Sequence, residues 1–214
     1  MSDAEDVLFS PAVKAEQARL GSRAGFEGRD WQTEINDNLR EFLQAIDTFF
    51  FATASADGRP YIQHKGGPPG FLKPIGTHTL AFADFAGNRQ YITLGHLREN
   101  DRAHIFIPHF ATRQRLKFWG RARIVEGDLE LMERLVDPTY KAKPQRAVVF
   151  TVEAWDVNCP QHILPRYSEA EIAPAVNKLI ARVKELEEEV ARLKAGGADW
   201  KDPSPSARDD TQEP

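Results

Sequence analysis

A single cysteine, Cys159, stands in 214 residues. That excludes an intramolecular disulfide and fits a reducing compartment. No apolar run approaches the ~20 residues of a helical membrane span, so no membrane partner is expected. The opening MSDAEDVLFS is acidic and has neither the basic start nor the apolar stretch of a signal peptide. The expected address is therefore cytoplasmic. Net charge is −4, with 28 Lys and Arg against 32 Asp and Glu, which argues against nucleic acid as a partner. Histidines 64, 78, 96, 104, 109 and 162 share no ligand spacing with cysteine or carboxylates, so no metal is expected. The run GGPPGF (66–71) lacks the Gly-Lys-Ser/Thr ending of a phosphate loop. Strands do not alternate with long helices, which argues against a doubly wound sheet. Cys159, with His162 close behind, has the makings of a reactive thiol but reads better as incidental.

What is present centres on RQRLKFWGRARI (113–124). Leu116, Phe118, Gly120, Ala122 and Ile124 fall on one face of a period-two pattern. Arg115, Lys117, Trp119, Arg121 and Arg123 fall on the other, so the stretch reads as a half-buried strand. Four cations around an indole suggest an anionic ligand. The alternative is a barrel exterior whose cations pair with acidic neighbours.

The 41% hydrophobic content supports one substantial core with appendages. Residues 1–7 read as a frayed terminus. Ser10-Pro11 opens a helix that Gly21 closes. Asp30 is placed to cap a second helix carrying Ile35, Leu39, Phe42, Leu43 and Ile46 on one face, apolar enough to lie over a barrel end. FFFATAS and PYIQHK, joined at Asp57-Gly58, read as a hairpin. Further strands are expected at 78–84, 103–108, 114–124 and 145–155. A helical segment should follow Gly87-Asn88, and a short helix should run from Asp128 to Pro138. Asn88 and Arg89 at a helix start suit an anion, or a plain connector. DVNCPQHILPRY (156–167) reads as irregular.

From Ser168, which forms a capping box with Glu171, a helix is expected to run to Leu193, with Pro174 kinking it or delaying its start. Val176, Val183 and Val190 take a positions; Ile172, Leu179, Leu186 and Leu193 take d positions. That favours a parallel two-stranded coiled coil, the alternative being a helix laid on its own barrel. Residues 196–214 should be disordered. The organisation is then an N-terminal helical segment (1–44), a barrel (45–167), a C-terminal helix (168–195) and a tail (196–214).

HTLAFADFAGNRQYITLGHLREND, AHIFIP and RQRLKFWGRARIV, with the hairpin FATASADGRPYIQHKGGPPGF before them, resemble the FMN-binding split barrels related to pyridoxamine 5′-phosphate oxidase, over roughly residues 45–156. The resemblance implies a mainly β fold: a six-stranded antiparallel split barrel with N-terminal helices and a long C-terminal heptad helix. It also implies a homodimer holding two FMN molecules at its interface. By the same resemblance Asn88 and Arg89 would meet the FMN phosphate, Thr93 would add a hydroxyl and Arg115 a polar flavin contact. His64, Lys65, Gly66 and Gly67 would approach flavin or phosphate, and Trp155 and Arg166 would stand near FMN. Lys117 would add a further phosphate charge, Trp119 and Trp155 apolar wall. The expected function is a flavin-dependent oxidoreductase of unassigned small-molecule substrate. Alternatives are a non-catalytic flavin carrier or sensor, and a dimeric interaction module for an acidic partner. The family's C-terminal Arg/His substrate motif is replaced by NCPQHILPRY, which argues against vitamin B6 oxidation, and His96 stands where relatives often carry Asn.

Overall fold

The computed structural model describes residues 4–158 and 161–196. Cys159, and the tail beyond Gly196, lie outside the described residues. Two compact units divide between Pro165 and Arg166. No described helix is long and apolar enough to cross a membrane.

The first unit carries α1 (Ala4–Leu8), α2 (Pro11–Arg19), α3 (Asp37–Gln44), β1 (Thr48–Ala54), β2 (Pro60–Gly66), β3 (Lys73–Pro74), β4 (Thr79–Phe85), α4 (Ile92–Glu99), β5 (Arg102–His109), β6 (Gln114–Val125), α5 (Leu129–Leu135) and β7 (Pro144–Asn158). The strands form one antiparallel sheet in the order β2-β1-β5-β6-β7-β4-β3. In that order β1 and β4 stand four places apart. Yet Phe49 and Phe51 of β1 both meet the Phe82 ring of β4, at 5.1 and 5.7 Å between centroids, and Phe51 also meets Phe150 of β7. The sheet is thus curled over a shared aromatic core while its edges, β2 and β3, stay unpaired with each other: a split barrel. Alternation in β1 drives this, with Phe49, Phe51 and Thr53 buried and their neighbours half-exposed.

Helix α3 lies over the core through Leu39, Leu43 and the half-buried Phe42. On the other side of β4, Ala81 and Ala83 join Ala147, Val149 and Leu135 in a second cluster. Small side chains there let α5 approach the sheet.

Several elements depart from the sequence reading. There are seven strands rather than six, because β3 is two residues long and too short for alternation to mark. The second helix is capped by Asn36, whose Oδ1 accepts from the Leu39 N–H at 2.9 Å, not by Asp30. Residues before it are extended because Gln32 bridges Trp155 and the Ile35 N–H bonds Thr77. Residues 4–8 are helical rather than frayed: Glu5 is buried and ion-paired with Arg23 and Lys14. β7 runs on to Asn158, paired with Arg115, through residues read as irregular.

Gly120 sits at a bulge where β6 pairing with β7 slips between Trp119 and Gly120. A Cβ there would stand 2.0 Å from the Thr151 carbonyl oxygen and 3.0 Å from the Phe150 ring. Gly120→Ala should therefore cost about 2–3 kcal/mol, lowering the melting midpoint by roughly 4–12 °C. Gly95→Ala, in helix α4 with open space around it, should hold or raise the midpoint. Thermal melts of the two variants check the pair.

His104, on the outer face of β5, packs edge-on to Trp119 at 4.9 Å. Burial, reinforced by the Lys117 charge, pushes its pKa down to about 4. A depressed histidine pKa favours unfolding in acid, since the unfolded chain takes the proton near 6.5 and the native state does not. Its contribution is intact above about pH 6.5 and is lost as pH falls toward 4, at no more than about 1.4 kcal/mol per unit. His104→Gln should flatten that part of the stability–pH curve, measured by denaturant titration.

Candidate functional site

The two ends of the curled sheet are joined by charge. Lys65 on β2 and Asp84 on β4 belong to strands five places apart, yet Lys65 Nζ donates to Asp84 Oδ1 at 2.7 Å. Arg146, the cross-strand neighbour of Asp84 on β7, donates from Nη1 to the other oxygen, Oδ2, at 3.4 Å. All three side chains are 12% exposed. Arg146 Nε is buried without a hydrogen bond, with the exposed Glu126 carboxylate 3.3 Å away as an ion pair. One carboxylate thus serves two nearly buried cations, an arrangement that depends on all three partners.

A cleft of about 180 Å³ opens beside this trio. Period-two geometry brings Tyr61, Gln63 and Lys65 to it from β2. The connection from β4 to α4 supplies the opposite wall. The Asn88 side chain accepts from the Gln90 N–H at 3.2 Å, closing a tight turn. Arg89 and Tyr91 adopt left-handed backbone, φ 61 and 55, a conformation that costs non-glycine residues energy and that clusters at functional sites. It lets Arg89 Nε donate to the Tyr91 hydroxyl at 3.3 Å, which raises the guanidinium pKa further. Helix α4 has Tyr91 as its N-cap, with no side-chain cap hydrogen bond, and its first residues, Ile92, Thr93 and Leu94, line the cleft. Thr93 is buried and donates from Oγ1 to Gln63 Oε1 at 3.1 Å. The lining holds three cations, Lys65, Arg89 and Arg146, against one carboxylate, Asp84.

Of the residues singled out in the sequence, the fold brings Lys65, Asn88, Arg89 and Thr93 to this cleft; the others lie elsewhere. His64 alternates to the opposite face of β2 and bonds Thr48 Oγ1 at 2.6 Å. Gly66 packs closely on the His64 ring, and Gly67 leaves room for Phe71. Lys117 pairs with Asp156 at 3.6 Å and lies 5.0 Å from the centre of the Trp119 ring. Arg115 approaches the Gln161 carbonyl at 3.5 Å. Trp155 is a core residue: it stacks on Phe118 and donates from Nε1 to the Glu34 carbonyl at 2.8 Å, pinning the N-terminal segment. Arg166 falls in the second unit. Asp84, Arg146, Tyr61 and Gln63 were not among the site residues expected from the sequence, and Tyr91 was noted only as part of the helical segment. A charged residue near the end of an otherwise apolar strand, as Asp84 is in β4, is the signal that could have found it.

Two of the four cations on the outer face of β6, Lys117 and Arg121, meet acidic neighbours. Arg121 meets Asp101 at 2.7 Å and Glu153 at 2.9 Å. At these two positions the charge is met across the sheet, as on a barrel exterior.

The donor set of the cleft fits the phosphate end of a flavin mononucleotide: guanidinium and ammonium groups beside an uncapped helix start. Its volume falls below the roughly 300–1,000 Å³ of sites that enclose a small molecule.

Comparison with curated proteins found no match. Solved structures similar to this chain match it over most of their own length. HupZ of Group A Streptococcus is 16% identical, with 62% of this chain covering 99% of that one at a TM-score of 0.47. An FMN-binding protein of Syntrophomonas wolfei is 14% identical, with coverages of 69% and 95% and a TM-score of 0.45. General Stress Protein 26 of Bacillus anthracis is 16% identical, with coverages of 55% and 88% and a TM-score of 0.41. The family model described as pyridoxamine 5′-phosphate oxidase matches residues 35–159, more than half of the 214. That span runs from the extended segment before α3 to the end of β7 and takes in every strand of the split barrel: the chain belongs to the pyridoxamine 5′-phosphate oxidase family.

Proposed function

We propose that this chain is an FMN-binding flavin-dependent oxidoreductase acting as a homodimer on a small-molecule substrate. The observation that carries the reading is the convergence of Lys65, Arg146, Arg89 and the uncapped start of α4 on one cleft. In this reading Arg89, Lys65, Arg146 and the α4 N–H groups hold the phosphate. Asn88 shapes the turn that presents Arg89, and Thr93 fixes the Gln63 amide. Tyr61, Gln63 and Ile92 make the mixed apolar and polar wall that a flavin ring requires. FMN, when bound, supplies one- or two-electron transfer, and the chain binds, orients and shields it.

A second copy is proposed to complete the site. Its support is the small volume of the cleft and the outer face of β2-β1-β5-β6. There Ile62 is 60% exposed, and Phe50, Phe106, His104 and Trp119 lie half-buried in adjacent rows. A contiguous aromatic face of this kind suits an obligate interface. A lone cysteine suits a reducing compartment, so the proposed address is cytoplasmic. The lining also favours a second reading, a flavin carrier. Its one carboxylate, Asp84, is held in two ion pairs, and no histidine lines the cleft, so no free acid or base is at hand for proton transfer.

The direct test is the visible spectrum of the purified chain and the mass of whatever it releases. A flavin spectrum with released FMN is expected, and failure to take up added FMN would overturn the reading. Steady-state NAD(P)H oxidation then separates enzyme from carrier.

Arg89→Ala should weaken FMN by about 10- to 150-fold, the loss of a charge-assisted contact of about 1.5–3 kcal/mol. Arg123→Ala, on the exposed face of β6, should leave affinity unchanged. Fluorescence titration of both variants measures the contrast.

Asp84→Asn strips two nearly buried cations of their shared counter-charge. The FMN-free protein should lose about 3–5 kcal/mol of stability. Added FMN should recover more of it than in the parent, since phosphate takes up the role of the lost carboxylate. Melting curves with and without FMN give the comparison.

A further inference from the structure

The second unit contains α6 (Glu169–Gly196), a helix of 28 residues. Its capping box forms as the sequence requires: Ser168 Oγ accepts from the Glu171 N–H at 3.3 Å, and Glu171 Oε2 accepts from the Ser168 N–H at 2.7 Å. Pro174 neither ends nor delays it; the helix runs through. Pro174 takes an f position, directly opposite the seam, so the hydrogen bond it cannot make is lost on the solvent side. At 1.5 Å per residue the helix is about 42 Å long.

Its apolar residues make a narrow stripe. Ile172, Val176, Leu179, Val183, Leu186, Val190 and Leu193 hold the a and d positions, with Ile180 alone at e, and all are 42–68% exposed. A helix that covers a barrel needs a wider face, whereas a strict a/d stripe is the geometry of a two-helix seam. β-branched residues at a with leucine at d select two parallel strands.

Charge chooses the partner. We propose that α6 pairs, parallel and in register, with α6 of a second copy of this chain. In a parallel dimer each g residue faces the e residue of the next heptad on the other helix. Here Arg182 at g faces Glu187 at e, and Glu189 at g faces Lys194 at e. Both pairs are opposite in sign, and two-fold symmetry makes each pair occur twice. The remaining pair, Ala175 with Ile180, is apolar. Within one chain Arg182 reaches Glu185 at 2.9 Å, with both side chains more than 60% exposed, an i,i+3 contact that costs little to exchange. Three heptads are short for a free peptide. The pairing is therefore expected of the full chain, where any contact between the first units raises the local concentration of helices. It requires no flavin.

The test uses the full chain carrying Cys159→Ser and one new cysteine at a time, with mild oxidation followed by non-reducing gels. Val176→Cys and Val190→Cys, both at a positions some 20 Å apart along the helix, should each form disulfide-linked dimers. Lys178→Cys, at an outward c position, should do so at least tenfold more slowly. In the Val190→Cys background, Glu187→Arg should slow crosslinking several-fold by facing Arg182 with a like charge, and adding Arg182→Glu should restore it. Crosslinks that form only when Val176→Cys and Val190→Cys copies are mixed would mean antiparallel helices and overturn the proposal. Equal rates at 176 and 178 would reduce the contact to mere proximity. Absence of crosslinks at 176 and 190 would leave the helix without a like partner; both results refute the pairing.

Discussion

Lys65 and Arg146 converge on one carboxylate, Asp84, at the mouth of the split. Burying a charge is costly unless it is paired, and removing one member of a buried set costs far more than an exposed ion pair contributes. The trio therefore does more than decorate the barrel. It joins β2 to β4, strands at opposite reaches of the sheet, where no backbone ladder connects them. Because two cations share one carboxylate, and Arg89 adds a third cation to the cleft, the closure leaves a positive excess beside it. The same atoms that hold the split together make its cleft a suitable place for an anion.

That closure rests on a sheet bent enough to bring its ends together. Phe49, Phe51, Phe82, Phe118 and Phe150 are fully buried, and edge-to-face contacts among Phe49, Phe51, Phe82 and Phe150 occupy the inside of the curl. The bulge at Gly120 is where β6, the longest strand but one, changes register against β7. It works only without a side chain, because the Thr151 carbonyl occupies the place where Cβ would stand. Trp155 fixes the other end by holding residues 32 to 34 against the core. Local backbone needs and core packing thus set the curvature on which the ion trio depends.

Charge is used differently on the outer face. Arg121 and Lys117 meet acidic residues from β7 and from the turn before β5, so a stripe that looks strongly cationic along the chain is neutralised across the sheet at two of its four positions. The cleft is the reverse: few charges in sequence terms, but an excess of one sign in space. The excess comes from residues set far apart in the chain: Lys65 on β2, Arg89 before α4 and Arg146 on β7.

Period-two alternation in 113–124 and the Asp57-Gly58 turn were enough to place β6 and the first hairpin, because each depends on residues close in the chain. The Ser10 cap, the Ser168–Glu171 box and the helix from 169 are local in the same sense, and the structure contains each of them. The turn at Gly87-Asn88 before α4 was legible for the same reason: the Asn88 side chain bonds the Gln90 N–H two residues on. What the sequence left open was the pairing of distant charges. Asp84 shows only as the end of an apolar strand, and Arg146 as the start of another. Which cation on β6 would be neutralised depended on β7, some 30 residues away, and Trp155 became a core clamp because of Gln32 and Glu34. Those choices belong to the tertiary structure, since a charge or an indole is given its role by whatever the fold sets opposite it.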